Sequence, residues 1–259
     1  MKGNFEGLLK KFKLIAKKRW IEGVTLGNGN IGLTFEKEIG KKIDTNYTPD
    51  YEDIEIKCTT RYSRFPISLF SLAIDGPSNK EIIRLNQTYG NYDKDFKEKK
   101  TLIRKIRVNE LSDLNKKYYL SLCLEGEKLF ICVYNKNKVL IEKKAYVELE
   151  NIRKHLLIKL KNLAIIKASK KILNNIEYFR YYEIQLYELK NFYTFKNLLK
   201  NGLIEVSIIS RISKSGDNKG RYCNKNLVFQ IKKDNIEKLF NKVTYYNYDE
   251  NNFKDFQII

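Results

Sequence analysis

Residues 52–60 alternate apolar and polar side chains without a break. Ile54, Ile56 and Cys58 fall on one side, and Asp53, Glu55, Lys57 and Thr59 on the other. A period of two specifies an extended strand with one face turned to a core. It also places Glu55 and Lys57 on a single face. Asp50 lies just before the strand, where a turn can bring its carboxylate beside Glu55. Two converging carboxylates offer hard oxygen ligands that suit Mg2+, an ion that keeps waters and can bridge to a phosphate. A lysine on the same face can orient or deprotonate a metal-bound water, or offset charge on a phosphate. The spacing alone leaves two readings open, a catalytic cluster or a solvated strand face.

The surroundings of this strand are strongly cationic. The chain has 259 residues, with 50 Lys and Arg against 31 Asp and Glu, a formal net charge of +19. Such a surplus fits a polyanionic partner, with nucleic acid first. Hydrophobic residues make up 42%, enough for a sizeable core, so wholesale disorder is excluded. The length suits one large domain or two small ones. No 18 apolar residues run together, and lysines from Lys2 to Lys18 interrupt any secretory apolar segment, so a cytoplasmic protein without membrane contact is expected. Cys58, Cys123, Cys132 and Cys223 form no Cys-x-x-Cys pair and are expected as buried, reduced thiols. His155 is the one histidine, which excludes a multi-histidine metal site, and it reads as structural.

Along the chain, Phe5, Leu8, Leu9, Phe12, Ile15 and Ala16 recur at helical spacing over residues 5–16, with Lys10, Lys11, Lys13, Lys17 and Lys18 on a basic face. Residues 26–32 form a glycine-rich turn that lacks the Gly-Lys-Ser/Thr of a phosphate loop, so no nucleotide cofactor is expected. A helix over 31–39 follows, stopped by Gly40. Further helices are predicted over 81–89, 150–161, 191–200 and 234–240. Strands are predicted over 67–74, 118–125, 128–134, 163–168, 178–187, 203–210 and 227–231. This mixture suggests an α/β or α+β fold around a largely antiparallel sheet.

Pro49-Asp50…Glu55-Ile56-Lys57 resembles the PD-(D/E)xK nuclease signature, and its setting is similar to the MutH-like branch and most of all to the MvaI/BcnI type II restriction endonucleases. The likeness begins at Gly27-Asn28-Gly29-Asn30-Ile31-Gly32 and at Glu36, four residues before the closing Gly40. It continues through Arg61 to Ile74, then Lys159-Leu160, Ile165-Ile166-Lys167-Ala168 and Ile176-Glu177-Tyr178-Phe179. It ends in Gly202-Leu203-Ile204-Glu205-Val206, Asn226-Leu227-Val228-Phe229-Gln230-Ile231 and Leu239-Phe240. The resemblance implies a restriction-endonuclease-like mixed sheet flanked by helices. It implies that Asp50 and Glu55, with the Ile56 carbonyl, hold Mg2+, that Lys57 positions the attacking water, and that Glu36 tunes the site. It further implies cleavage of double-stranded DNA to 5′-phosphate and 3′-hydroxyl ends by a monomer that cuts the strands in turn. A cognate DNA methyltransferase would be the functional partner. The chain departs from the family near residue 223, where relatives often carry histidine and this chain has Cys223-Asn224-Lys225-Asn226.

A polar segment over 211–226 lies between two apolar strands and is expected to reach into a DNA groove. Arg211 and Arg221 can bind guanine, Asn224 adenine, and Asp217 cytosine, with Lys214, Lys219 and Lys225 beside them; a solvated, mobile hairpin is the alternative. Arg61 and Arg64 are expected as phosphate clamps. Asn28 and Asn30 of the glycine turn are also expected on the DNA. The basic run from Lys97 to Arg107 is expected to add backbone affinity, and Tyr178, Tyr181 and Tyr182 to pack in the sheet. A single nuclease domain over 1–259 is expected, with a catalytic lobe near 1–135 and recognition elements mainly in 136–259, around a DNA cleft. The rival readings are a MutH-like repair nickase and a non-catalytic nucleic-acid-binding protein.

Overall fold

The computed structural model describes residues 4–27, 29–41 and 48–249, with the side chains of Asn224 and Lys225 excepted. The first half runs α1 (Phe5–Lys17), β1 (Ile21–Glu22), α2 (Asn30–Glu38), β2 (Ile54–Thr60), β3 (Ile67–Leu72), α3 (Glu81–Tyr89), β4 (Asn91–Tyr92), β5 (Lys100–Ile106) and β6 (Ser112–Asp113). It continues through β7 (Tyr118–Glu125), β8 (Lys128–Asn135), β9 (Leu140–Glu148), α4 (Leu149–Lys159), β10 (Asn162–Leu173) and β11 (Ile176–Leu189). The last elements are α5 (Phe192–Lys200), β12 (Ile204–Ile212), β13 (Tyr222–Ile231), α6 (Ile236–Leu239) and β14 (Phe240–Asn247). The fold is mixed α/β, as the sequence pattern predicts.

Two compact units share these elements. The first takes residues 1–65, 157–190 and 237–259, and the second takes 66–156 and 191–236. The units interleave along the chain, whereas the sequence division near residue 135 is sequential. The cause is non-local pairing, since β2 finds its partner β10 about a hundred residues later.

In the first unit the strand order is β1-β11-β10-β2, with β14 also on β11. β10 and β11 form a long antiparallel hairpin with a bulge at Lys167/Ala168. β2 joins β10 in parallel, setting Glu55 opposite Leu163 and Lys57 opposite Ile165. α1 covers the sheet because its apolar stripe (Phe5, Leu8, Phe12, Ile15) is fully buried. Asn4 caps this helix by accepting from the Gly7 N–H at 3.0 Å. The stripe packs with Phe35, Ile54, Ile56, Ile166, Phe179 and Tyr181 in one core. Tyr181 and Tyr182 are both buried, which bears out their packing role. The basic flank of α1 is partly used within the unit: Lys11 donates to the Ile39 carbonyl at 2.7 Å and Lys18 pairs with Glu38 at 2.7 Å.

The second unit holds the antiparallel sheets β3-β13-β12-β5-β4 and β6-β7-β8-β9. Its core stacks Phe70 on Phe229, with ring centroids 4.7 Å apart.

Several boundaries differ from the sequence expectation. β12 runs on through Arg211 and β13 starts at Tyr222, so the predicted loop 211–226 shrinks to 213–221. Ladder hydrogen bonds override the polar composition there. The basic run near 100–106 is a strand, β5, whose Leu102 and Ile106 are buried. The helix predicted over 234–240 is a 3-10 turn (Lys233–Asn235) and the short α6, after which β14 adds to β11. Cys123 and Cys132 are joined as a disulfide across β7 and β8, against the expectation of four separate thiols, while Cys58 and Cys223 are free. Antiparallel pairing of the two strands brings the sulfurs together. His155 Nδ1 is 2.8 Å from the Asn151 carbonyl within α4, consistent with a structural role. Among the described residues, no helix is long and apolar enough to cross a membrane.

Candidate active site

Four segments of the first unit deliver the polar cluster. The turn Tyr51–Ile54 closes with reciprocal backbone bonds of 3.0 and 2.8 Å. Glu52 takes a φ of 50° within it. This turn folds Asp50 back along β2, where Asp50 Oδ2 accepts the Ile56 N–H at 2.9 Å. Asp50 Oδ1 receives the Lys41 ammonium at 2.5 Å. β2 then presents Glu55 and Lys57 two residues apart, with Lys57 Nζ donating to Glu55 Oε1 at 2.6 Å. Finally, Lys159, at the end of α4, approaches the same oxygen at 3.4 Å.

Glu55 is the unusual member. It is 1% exposed, although it lies on what the sequence reads as the charged face of a half-buried strand. Its Oε2 is buried and has no hydrogen-bond partner. An orphaned buried carboxylate oxygen is costly and rare, so it marks a place built to receive something. Glu36, from the last turn of α2, lies 3.8 Å from Lys41. Burial, and then the nearby Asp50 charge, push the Glu36 carboxyl above its ordinary range. Three carboxylates and three ammonium groups thus share one site. Among the described residues, no three carboxylate, imidazole or thiol groups converge as a ready-made metal cage. The carboxylates are instead interleaved with lysines.

The predicted residues Asp50, Glu55, Lys57 and Glu36 are therefore brought together. Ile56 is placed through its N–H, which binds Asp50. Asn30 is not available for DNA. It is 1% exposed, with its amide donating to Glu177 Oε2 at 2.7 Å and to the Thr25 carbonyl. Its Oδ1 accepts from Thr25 N at 3.1 Å and from Thr34 Oγ1 at 3.1 Å. It pins the glycine turn to β11, and that structural role replaces the expected DNA contact. Asn28 lies outside the described residues, as do the side chains of Asn224 and Lys225.

Arg61 and Arg64 are exposed just past β2, next to Tyr62 and Phe65, which are also exposed. Tyr62 and Phe65 line a cleft of about 660 Å3 together with Ile31, Cys58 and Phe179. In the second unit the 213–221 hairpin is ordered by its own bonds, among them Ser213 N to the Arg221 carbonyl at 2.9 Å and Gly220 N to the Ser213 carbonyl at 2.8 Å. Lys214 is occupied by Asp93 and by Asp95 at 2.9 Å, so it serves as an anchor. Arg211, Asp217, Lys219 and Arg221 are exposed along the hairpin. Arg107, from the predicted backbone-affinity run, is bound to Glu205 and Glu110.

Sequence reasoning missed two lysines. Lys159 was visible as a cation near the end of the helix predicted over 150–161, just before an apolar strand. Lys41 carried the signal of a cation just past a helix-ending glycine, one turn after Glu36.

A comparison with curated proteins finds no match. Among solved structures, the restriction endonuclease MvaI bound to cognate DNA is similar, with a TM-score of 0.87 and 24% identity over 94% of this chain and 98% of that one. MvaI without DNA gives a TM-score of 0.59 and 22% identity, over the same shares of the two chains. At such identity the likeness speaks for the fold. The family model named MvaI/BcnI restriction endonuclease matches residues 9–240, which span the whole site from α1 to the start of β14. The chain therefore belongs to the MvaI/BcnI restriction endonuclease family and is a type II site-specific deoxyribonuclease.

Proposed function

We propose that the chain hydrolyses double-stranded DNA with Mg2+, in the cytoplasm, as a monomer that cuts the two strands in turn. The observation that carries this reading is Glu55, a buried carboxylate with one oxygen held by Lys57 and the other without a hydrogen-bond partner. The donor set suits a hard divalent cation, because carboxylate oxygens supply it without thiol or imidazole. Asp50, Glu55 and the Ile56 carbonyl would hold the ion. When bound, it supplies a Lewis acid that acidifies water and offsets phosphate charge.

The chain's own groups do the rest. Glu55 Oε1 fixes the Lys57 ammonium so that it can orient the attacking water by hydrogen bonding, while the proton released by that water passes to solvent. Lys159, on the same oxygen, adds positive charge where the phosphorane develops. The water oxygen bonds to phosphorus, the P–O3′ bond breaks, and the 3′-oxygen takes up a proton. A 5′-phosphate and a 3′-hydroxyl result. Glu36 tunes the field on Asp50. Arg61 and Arg64 clamp phosphates near this site, making the first unit the catalytic lobe. The second unit reads bases through Arg211, Asp217, Lys219 and Arg221 on the hairpin, with Asn224 and Lys225 beside them. A cognate DNA methyltransferase would protect the host's own sites.

Plasmid digestion in Mg2+ tests the reading. The expected product is linear DNA with fixed ends, formed through a nicked intermediate. EDTA should stop it, and Lys57→Ala should remove it. Equal cutting by the variant would sink the assignment of Lys57, and an accumulated nicked product would favour a single-strand nickase.

A further inference from the structure

Lys41 has no part in the chemistry derived above, yet it is held as firmly as the residues that do. It follows Gly40, whose φ of 86° ends α2 in the left-handed region. The Lys41 N–H donates to the Glu36 carbonyl at 2.9 Å, and the Gly40 N–H to the Lys37 carbonyl at 3.0 Å. This pair of bonds is a Schellman closure. It fastens the backbone of Lys41 to the residue whose carboxylate Lys41 faces. The ammonium then lies 2.5 Å from Asp50 Oδ1 and 3.8 Å from Glu36 Oε2, with 16% of the side chain exposed. Lys57 and Lys159 gather on Glu55 instead.

Two seats for a cation thus exist around Asp50. One, in the metal-dependent reading above, is shared with Glu55, whose Oε2 is buried without a partner. The other is shared with Glu36 and already holds an ammonium. Glu36 is raised by burial and by Asp50, so the two carboxylates repel unless a cation stands between them.

We propose that Lys41 is a tethered cation that fills the Glu36–Asp50 seat, so that the site takes one divalent ion, at Asp50 and Glu55, and not two. This rests on the metal-dependent reading above. Two-ion sites place their ions about 3.5–4 Å apart to clamp attacking and leaving oxygens. Here a side chain supplies the second positive charge at a fixed position, independent of metal concentration. Lys41 is accordingly a positioning residue: it keeps Asp50 aimed along β2 and separates its carboxylate from that of Glu36.

Counting ions tests this without any turnover. The full chain is titrated with Mn2+ and bound ions are counted by electron paramagnetic resonance. One ion is expected in the wild type, two in Lys41→Met, and one again in Lys41→Met/Glu36→Gln. A purely structural lysine would change the melting temperature and leave the count alone. Two ions in the wild type, or one in a folded Lys41→Met, overturns the proposal. The wild-type count decides the matter even if Lys41→Met does not fold. No bound ion in the wild type would bring down the metal reading as well. Mg2+-dependent plasmid cutting judges that reading separately.

Discussion

Glu55 and Glu177 are buried carboxylates on the same sheet of the first unit, each paired with a lysine, yet they are finished differently. Glu177 on β11 has both oxygens satisfied, one by Lys170 and the other by Asn30 at 2.7 Å. The Lys170 ammonium, helped by Asn30, holds its carboxyl below the ordinary range. Glu55 on β2 has one oxygen shared by two lysines and the other left with nothing. α2 serves both, with Asn30 at its start locking Glu177 and Glu36 at its end crowding the Glu55 site. A completed buried network contributes rigidity, whereas an incomplete one stores unmet bonding capacity for a ligand. The contrast separates architecture from chemistry within a single layer.

The sharpest way to break this comparison is to remove one lysine from each cluster. Lys57→Ala should lower the cleavage rate by about 10^3-fold or more, while Lys170→Ala should leave it within a few-fold. A similar loss in both would erase the distinction. Next in size is Asn30→Ala, which strands Glu177 and the Thr25 backbone. It should cost about 3–5 kcal/mol of stability in chemical denaturation, as expected for opening a buried charged network. A change under 1 kcal/mol, with DNA affinity lost, would restore Asn30 to the DNA surface.

The two clusters should also respond to pH with opposite sign. Glu177 is lowered in the folded state, so it stabilises above the unfolded carboxyl range, and that contribution is lost as pH falls through its folded value. Glu36 is raised, so its charge burdens the folded state above its folded pKa, and acid relieves that burden. In EDTA at neutral pH, Glu177→Gln should lower the melting temperature and Glu36→Gln should raise it by about 1–2 °C. Both differences should shrink in acid; parallel pH profiles would contradict the assignment. The smallest effect is expected at Arg211→Ala. It should weaken DNA binding and reduce the salt slope by about 1 if the contact is to phosphate, or relax one base position if it is to guanine.

The proposed catalytic triplet was legible because chemistry and secondary structure shared one short pattern. Alternation over 52–60 fixed β2, and a residue spacing of two fixed the common face of Glu55 and Lys57. The burial of Glu55 was not legible, since it depends on β10, which arrives a hundred residues later in parallel register. β14 and β5 were hidden for the same reason. Their polar and basic residues carry weak strand propensity, and ladder partners elsewhere in the chain impose the conformation. Asn30 misled because an asparagine in a glycine turn can face either outward to a base or inward to a carboxylate. Only Glu177, nearly 150 residues on, decides which.

The interleaving of the two units has a consequence for synthesis. As the chain leaves the ribosome, β2 emerges early but remains without a neighbouring strand until β10 and β11 follow, and β14 joins the sheet later still. Prematurely terminated products ending before residue 160 therefore lack the scaffold that holds Glu55, Lys57 and Lys159 together. A cell making this enzyme is spared active fragments of that length, because the cutting centre cannot assemble until β10 has joined β2.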